Sequence, residues 1–197
     1  MKKSFSFLLL LLLSIGSASA NKYAMKSDIQ RLDEVINQRP YYDLQKRQRI
    51  DSLTLLLDTA KTPYAIYKCL YEEYKSFNYD TALIFTQNMH NEALLMQQPF
   101  LVAEAELSRA FVYLSGGLFK EAYDLLSDLK NLPQPITDNL LPTYHITYAR
   151  LLYDMADYAG REMFAIYNQQ ANRYMQELVE QSSPADSMHY HYPMASI

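Results

Sequence analysis

Three aromatic residues recur at nearly constant spacing along this chain: Tyr79, Phe119 and Tyr158, separated by 40 and 39 residues. Each closes a short polar or glycine-containing break between two apolar runs with helical periodicity. A period of this length is typical of a helical solenoid, in which one helix pair cannot bury its apolar face alone and stacks on the next. Because stacked pairs present long continuous surfaces, the repeat favours a binding function without identifying the ligand.

The residue composition predicts helices throughout the chain. There are only 4 glycines, and the 8 prolines fall at breaks rather than inside periodic runs. No stretch alternates apolar and polar residues for long enough to predict a strand. We expect helices near residues 27–38, 41–60, 63–78, 80–96, 100–115, 119–132, 138–156 and 158–181.

The first twenty residues match a secretory signal peptide rather than a part of the fold. Two lysines precede an apolar run over 5–13, and the segment ends in Ala-Ser-Ala at 18–20, the small-x-small pattern that signal peptidase recognises. The run is too short to span a bilayer, which takes about 20 apolar residues. We therefore expect cleavage before Asn21 and export. An uncleaved anchor is the alternative, which the cleavage pattern disfavours.

The mature chain has the length of one domain. We expect a helical repeat domain over 21–184, followed over 185–197 by the start of a further helix or a disordered tail. Loss of two leader lysines changes the formal charge from −4 to −6. A chain this acidic lacks the clustered basic residues that contact with nucleic acid requires. The single cysteine, Cys69, lies in an apolar helical run and is expected to be buried and inert.

The turns between the predicted helices resemble those of tetratricopeptide repeats. The matching positions are Tyr74, Tyr79 and Ala82 in one unit, 118–122 (Leu-Phe-Lys-Glu-Ala) in the next, and Tyr153 with Tyr158 in the third. The third unit departs from the family pattern at Arg161, where alanine is preferred, and all units exceed the ordinary repeat of 34 residues. The resemblance implies an all-α fold, a right-handed α-α superhelix of antiparallel helix pairs.

Most of the mature chain also resembles an uncharacterised Bacteroidetes family of membrane-anchored proteins, some regarded as transcriptional regulators. The residues that carry this resemblance are Leu32, Asp33, Ile36, Tyr42, Arg49, Ile50, Leu53 and the run 70–80. It implies a signal peptide, a periplasmic array of tetratricopeptide-like helices, one membrane helix and a cytoplasmic C-terminal region. The sequence has no second long apolar segment, so we expect any membrane helix to lie beyond Ile197 in a longer form.

The sequence carries no recognisable catalytic or metal-binding pattern. It contains no Gly-x-Ser-x-Gly elbow and no glycine-rich phosphate loop after a strand. His90 and His145 lie on separate predicted helices without metal-ligand spacing. His189 and His191 would point the same way in an extended segment, but no third ligand is evident, and a loose chain end is the simpler interpretation. We expect no enzyme activity, no metal and no cofactor.

Four of the 18 tyrosines fall at spacings of three, four and three residues along one predicted helix, Tyr64, Tyr67, Tyr71 and Tyr74. Such rings usually pack against a neighbouring helix. The tetratricopeptide resemblance instead places them where those domains contact peptides, a task that suits the apolar ring and polar tip of tyrosine. Both interpretations remain open at this point. The candidate binding residues are Tyr64, Tyr67, Tyr71, Tyr74, Phe111, Arg150 and Tyr153, with Arg150 placed to select a partner's carboxylate.

Two functions are compatible with the sequence. The first is a non-catalytic periplasmic binding or sensor domain that contacts a protein, peptide or small ligand, as the N-terminal part of a membrane-anchored regulator. The second is a free-standing exported scaffold that assists an envelope or glycan-uptake complex. The absence of a lipid-attachment cysteine after the leader weakens the second interpretation.

Overall fold

The computed structural model describes residues 28–130 and 139–181, which form eight helices and no strand. The helices are α1 (28–37), α2 (Arg39–Leu57), α3 (Tyr64–Tyr74), α4 (Tyr79–Leu95), α5 (Pro99–Ser115), α6 (Phe119–Lys130), α7 (Leu141–Tyr158) and α8 (Arg161–Gln181). The predicted leader, the predicted proline-rich connection near 133–135 and the predicted tail lie outside the described residues.

The chain divides into two compact units between Asp51 and Ser52. In the described part of the first unit, residues 28–51, no side chain is buried. Its first helix carries the apolar face that the sequence predicts, and the side chains of Ile29, Leu32 and Ile36 are all more than half exposed. None of the described helices in the chain has the length and hydropathy that a membrane span needs.

The second unit is a tetratricopeptide-like α-solenoid. Each helix from α3 to α8 packs on the next in the chain, and α5 also packs on α7. This pattern corresponds to three successive helix pairs, α3–α4, α5–α6 and α7–α8, in which the first helices of neighbouring pairs also meet. The predicted all-α solenoid is therefore confirmed, and Tyr79 and Phe119 open the second helices of the first two pairs.

The core of the second unit consists of two clusters of buried residues that share α5. Ala105 and Val112 of α5 belong to the cluster formed with α3 and α4. Leu107 and Leu114 belong to the cluster formed with α6, α7 and α8. A fully buried leucine contributes roughly 1.5–3 kcal/mol. Since α5 is covered on two faces, neither neighbouring pair can be removed without exposing part of the core.

Local sequence signals explain where several helices begin and end. The Asn78 side chain accepts a hydrogen bond from the Thr81 backbone N–H at 3.0 Å and so caps the start of α4. Gly117 has a φ of 77°, which suits glycine, and the Leu118 N–H donates to the Tyr113 carbonyl at 2.9 Å. This left-handed stop ends α5 and lets α6 reverse direction.

Two predicted boundaries are wrong. Pro40 was expected to separate two helices, but it lies in the first turn of α2, where its missing N–H has no intrahelical partner to lose. Tyr158 was expected to open the last helix, but it is the final residue of α7, and α8 begins at Arg161. The chain turns instead at Ala159, whose backbone is extended.

The prediction that Cys69 is buried is also wrong, since its thiol is free and exposed. Cys69 lies on the same stripe of the α3 region as Ala65, Glu72 and Ser76, all of which are exposed. The buried faces of α3 are formed by other residues, among them Leu70. The apolar run around Cys69 predicted burial, but a helix in such a run can still expose one side to solvent.

Candidate partner-binding face

The four tyrosines of α3 form two rows rather than one. Tyr64 and Tyr71 are 6% and 4% exposed and belong to the core cluster shared with α4 and α5. Tyr67 and Tyr74 are partly buried, and both rings lie near Phe85 of α4, at centroid distances of 6.3 and 5.7 Å. Each row has a seven-residue spacing, which keeps its members on one line of the helix.

The buried row connects α3 to α5. The Tyr64 hydroxyl donates at 2.8 Å to Oε2 of Glu104 and lies 3.1 Å from the Leu101 carbonyl oxygen, while Lys68 Nζ lies 2.7 Å from Glu104 Oε1. Burial and Glu104 both raise the pKa of Tyr64. Burial, followed by Glu72, raises the pKa of Tyr71. These phenols are therefore neutral hydrogen-bonding groups that fix the spacing of α3 and α5.

Phe111 of α5 lies between two cations that come from the neighbouring helix pairs. The ammonium of Lys75, the residue that follows α3, is 5.5 Å from the Phe111 ring centroid and 2.6 Å from Glu72 Oε2. The Arg150 guanidinium of α7 is 5.3 Å from the same centroid. Both distances are within the range of cation–π attraction. All three side chains are only partly buried, so this group joins three helix pairs and still reaches solvent.

Arg150 and Tyr153 extend the same surface along α7. Arg150 Nε is 3.6 Å from Asp154 Oδ2 on the same helix, and the Arg150 side chain is 39% exposed. The Tyr153 hydroxyl donates to Asn172 Oδ1 of α8 at 2.6 Å, and burial raises the pKa of Tyr153. We refer to the partly exposed side chains of Lys75, Phe111, Arg150 and Tyr153 as the first-helix face, because α3, α5 and α7 are the first helices of their pairs.

The first-helix face has the chemistry of a recognition surface. It offers one aromatic ring, one phenol and two long cationic side chains, and aromatic and arginine side chains dominate binding energy at protein interfaces. The Phe111 ring can accept an apolar side chain. Arg150 is better placed than Lys75 to hold a carboxylate, because Lys75 pairs with Glu72 at 2.6 Å whereas Arg150 Nε is 3.6 Å from Asp154.

The rings of Tyr64 and Tyr71 are buried in the core, so they are not available to a partner. Tyr67 and Tyr74 lie on the side of α3 that faces α4.

Sequence reasoning overlooked Lys68 and Lys75, which join the tyrosine row to α5. Each lysine follows a buried-row tyrosine by four residues, a spacing that places both side chains on one side of the helix. That signal was present in the sequence, but lysine is so often a solvated surface residue that it does not stand out.

The histidines serve packing between helices. Nδ1 of His90 in α4 contacts the buried carboxylate of Glu106 in α5, which also contacts the Arg109 guanidinium. His145 of α7 is buried, and its Nε2 lies 3.9 Å from Oε2 of Glu177 in α8. Within residues 28–130 and 139–181, no three His, Cys, Asp or Glu side chains are grouped to hold a metal ion. His189 and His191 lie outside the described residues.

Comparison with known families gives one match. The family described as SusR N-terminal TPR domain matches residues 36–196, which is most of the chain and includes every helix that contributes to the first-helix face. No curated protein and no solved structure matches the chain.

Proposed function

We propose, since this chain belongs to the family of SusR N-terminal TPR domains, that it is a non-catalytic interaction domain that captures a partner segment on its first-helix face. The family assignment supports a region that mediates interaction in SusR-like regulators. Tetratricopeptide-type solenoids bind through extended surfaces built from several successive repeats. The first-helix face is such a surface, because three helix pairs contribute to it.

The observation that carries this proposal is the position of Phe111 between Lys75 and Arg150. A ring and two cations contributed by three separate pairs form one partly exposed group, so a bound segment could contact all three pairs at once. The partner that fits this group is an extended peptide or protein segment with an apolar side chain and a nearby carboxylate. Arg150 would hold the carboxylate, and Phe111 would contact the apolar side chain.

We further propose that the domain acts in the periplasm as the sensing part of a membrane-anchored regulator. The leader pattern of the first twenty residues and the regulator named in the family description support this location and role. A partner that contacts α3, α5 and α7 together would favour one arrangement of the stacked pairs over others. A membrane helix in a longer form would then pass that change to the cytoplasm.

The binding step is tested by selecting peptides from a random displayed library on the purified domain. Selected peptides should be enriched in Asp or Glu near an apolar residue. Their affinity should fall at least about tenfold for Arg150→Gln, the loss that one charge-assisted hydrogen bond represents. A similar fall is expected for Phe111→Ala, which removes an aromatic contact. Arg39→Gln is the matched control, because Arg39 on α2 also pairs with a carboxylate four residues later and lies outside both the first-helix face and the solenoid. If the control substitution weakened peptide binding as much as Arg150→Gln does, the assignment of the binding site to the first-helix face would be contradicted.

The location is tested separately by fractionating cells that express the native gene from its own promoter. Inner-membrane association supports the regulator, provided that the domain is protected from protease until the outer envelope is opened. A protein recovered in the soluble periplasmic fraction or with the outer membrane would instead support the free-standing scaffold.

A further inference from the structure

A second concave site lies away from the first-helix face, between α6 and α8. Its volume is about 280 Å³, close to the lower end of the ~300–1,000 Å³ of typical small-molecule pockets. The lining side chains include Tyr123 and Lys130 from α6, Tyr148 from α7, and Arg173, Tyr174 and Glu177 from α8. We refer to this site as the α6–α8 cleft.

The floor of the α6–α8 cleft is aromatic and held firmly in place. The Tyr148 and Tyr174 rings stack at a centroid distance of 4.6 Å, with their planes 16° apart, and Tyr123 approaches Tyr148 edge-on at 6.0 Å. The Tyr148 hydroxyl lies 3.4 Å from Ser127 Oγ. Tyr148 is only 7% exposed and Tyr123 is 42% exposed, so the Tyr123 ring is the main apolar surface that the cleft offers to a ligand. Binding to a ring that is already positioned costs little side-chain entropy.

The charges around the cleft are unequal. Arg173 Nε lies 3.2 Å from Glu177 Oε1, so these two opposite charges largely offset each other. The Lys130 ammonium lies 5.9 Å from the Tyr174 ring centroid, and none of the described carboxylates is within ion-pair distance of it. The second oxygen of Glu177 faces the buried His145 at 3.9 Å. Among the residues that the structure describes, the cleft therefore carries one positive charge that no carboxylate pairs with.

We propose that the α6–α8 cleft binds a small organic anion, a carboxylate or phosphate on a flat apolar body. The anionic group would contact Lys130 and the exposed side of Arg173, and the body would lie against the Tyr123 ring. This site is separate from the first-helix face, and no residue is shared between the two. Its occupation would link α6, α7 and α8, the three helices of the C-terminal half of the solenoid.

The test uses three probes of similar size on the purified domain, followed by ligand-observed NMR titration: benzoate, phenyl phosphate and the neutral benzamide. We expect one or both anions to bind with a dissociation constant on the order of 1 mM, and benzamide to bind at least about tenfold more weakly. Tighter binding of phenyl phosphate identifies the natural group as a phosphate, and tighter binding of benzoate identifies it as a carboxylate. Equal binding of benzamide, or no saturable binding of either anion, would overturn the proposal.

Matched variants locate the bound anion. Lys130→Gln should weaken binding at least about tenfold, whereas Lys120→Gln on the same helix should not, because Lys120 is paired with Asp124 outside the cleft. Thermal melting confirms that both variants fold. Phe111→Ala should retain anion binding, so failure of the first-helix face and failure of the cleft are distinguishable. If both lysine variants weakened anion binding equally, or if folded Phe111→Ala lost anion binding, the anion would not bind in the cleft.

Discussion

The Tyr79 ring lies directly against Gly116, so that the second helix of one pair contacts the turn of the next. A methyl group placed on Gly116 would lie 2.8 Å from Tyr79 Cδ2 and closer still to Cε2. One pair later the same kind of contact recurs, as the Phe119 and Tyr158 rings approach to a centroid distance of 5.5 Å. The aromatic repeat therefore has a physical role, since Tyr79 and Phe119 each contact the end of the first helix in the following pair.

Gly116→Ala should destabilise the solenoid by about 1–3 kcal/mol, because the added methyl group forces the Tyr79 ring out of position. Chemical denaturation followed by circular dichroism measures this change. Gly160→Ala is the control, since nothing lies within 4 Å of the methyl group that it would add. In a Tyr79→Ala background, Gly116→Ala should become nearly neutral. An unchanged cost in that background would show that the ring is not its cause.

Substitutions on α3 and α7 should separate stability from binding. Tyr71→Ala should lower the free energy of unfolding by about 3–5 kcal/mol, because it removes a ring that is only 4% exposed. Arg150→Ala should lower it by less than about 1 kcal/mol, because its ion pair is largely solvated. Denaturation curves for the two variants provide the comparison. If Tyr71→Ala were as stable as Arg150→Ala, Tyr71 would belong to the exposed binding surface and not to the core.

The sequence predicted the class of fold and most helix ends because those depend on local chemistry. Asn78 caps α4 with its side chain, Pro99 opens α5 and Gly117 ends it, and each of these local effects needs no knowledge of the rest of the chain. Tyr158 misled the prediction because an aromatic at the right spacing resembles the residue that opens a second helix.

The candidate site was less predictable because it depends on which helices are neighbours. Tyr64 and Tyr67 are separated by only about 60° around the helix axis, at 100° per residue. Both therefore read as one face in the sequence, and only the positions of α4 and α5 divide them into two rows. The approach of Arg150 to Phe111 joins residues 39 positions apart on different pairs, and no local pattern encodes it.

Removal of the buried Glu106 carboxylate should be costly. Glu106 is 8% exposed and contacts both His90 of α4 and Arg109 of its own helix, and Arg109 also donates to Gln87 Oε1 at 2.8 Å. Glu106→Ala leaves the guanidinium without its anion, and we expect a loss of about 3–5 kcal/mol in denaturation experiments. Asp43→Asn, which breaks an exposed pair, should cost less than about 1 kcal/mol. Similar costs would mean that Glu106 is solvated.

Stability should fall in mild acid because of His145. Burial lowers the pKa of His145 below its ordinary value of 6.5, against a smaller opposite effect of Glu177. As pH falls below about 6.5, the unfolded chain takes up a proton that the folded histidine does not, so the unfolded state is favoured. Denaturation between pH 7 and pH 5 should therefore show a steeper loss for the parent than for His145→Leu. Parallel curves would exclude His145 as the cause.

The most direct measurement of the central claim is a double-mutant cycle between Arg150 and the carboxylate of a peptide selected on the first-helix face. The dissociation constant is measured for the parent and Arg150→Gln, each with the acidic peptide and with its amide counterpart. If Arg150 holds that carboxylate, the two changes should not add, and the coupling should be about 1 kcal/mol or more. The account would be contradicted if the two changes add. In that case, replacing the acidic peptide by its amide counterpart would cost the same affinity on the parent and on Arg150→Gln.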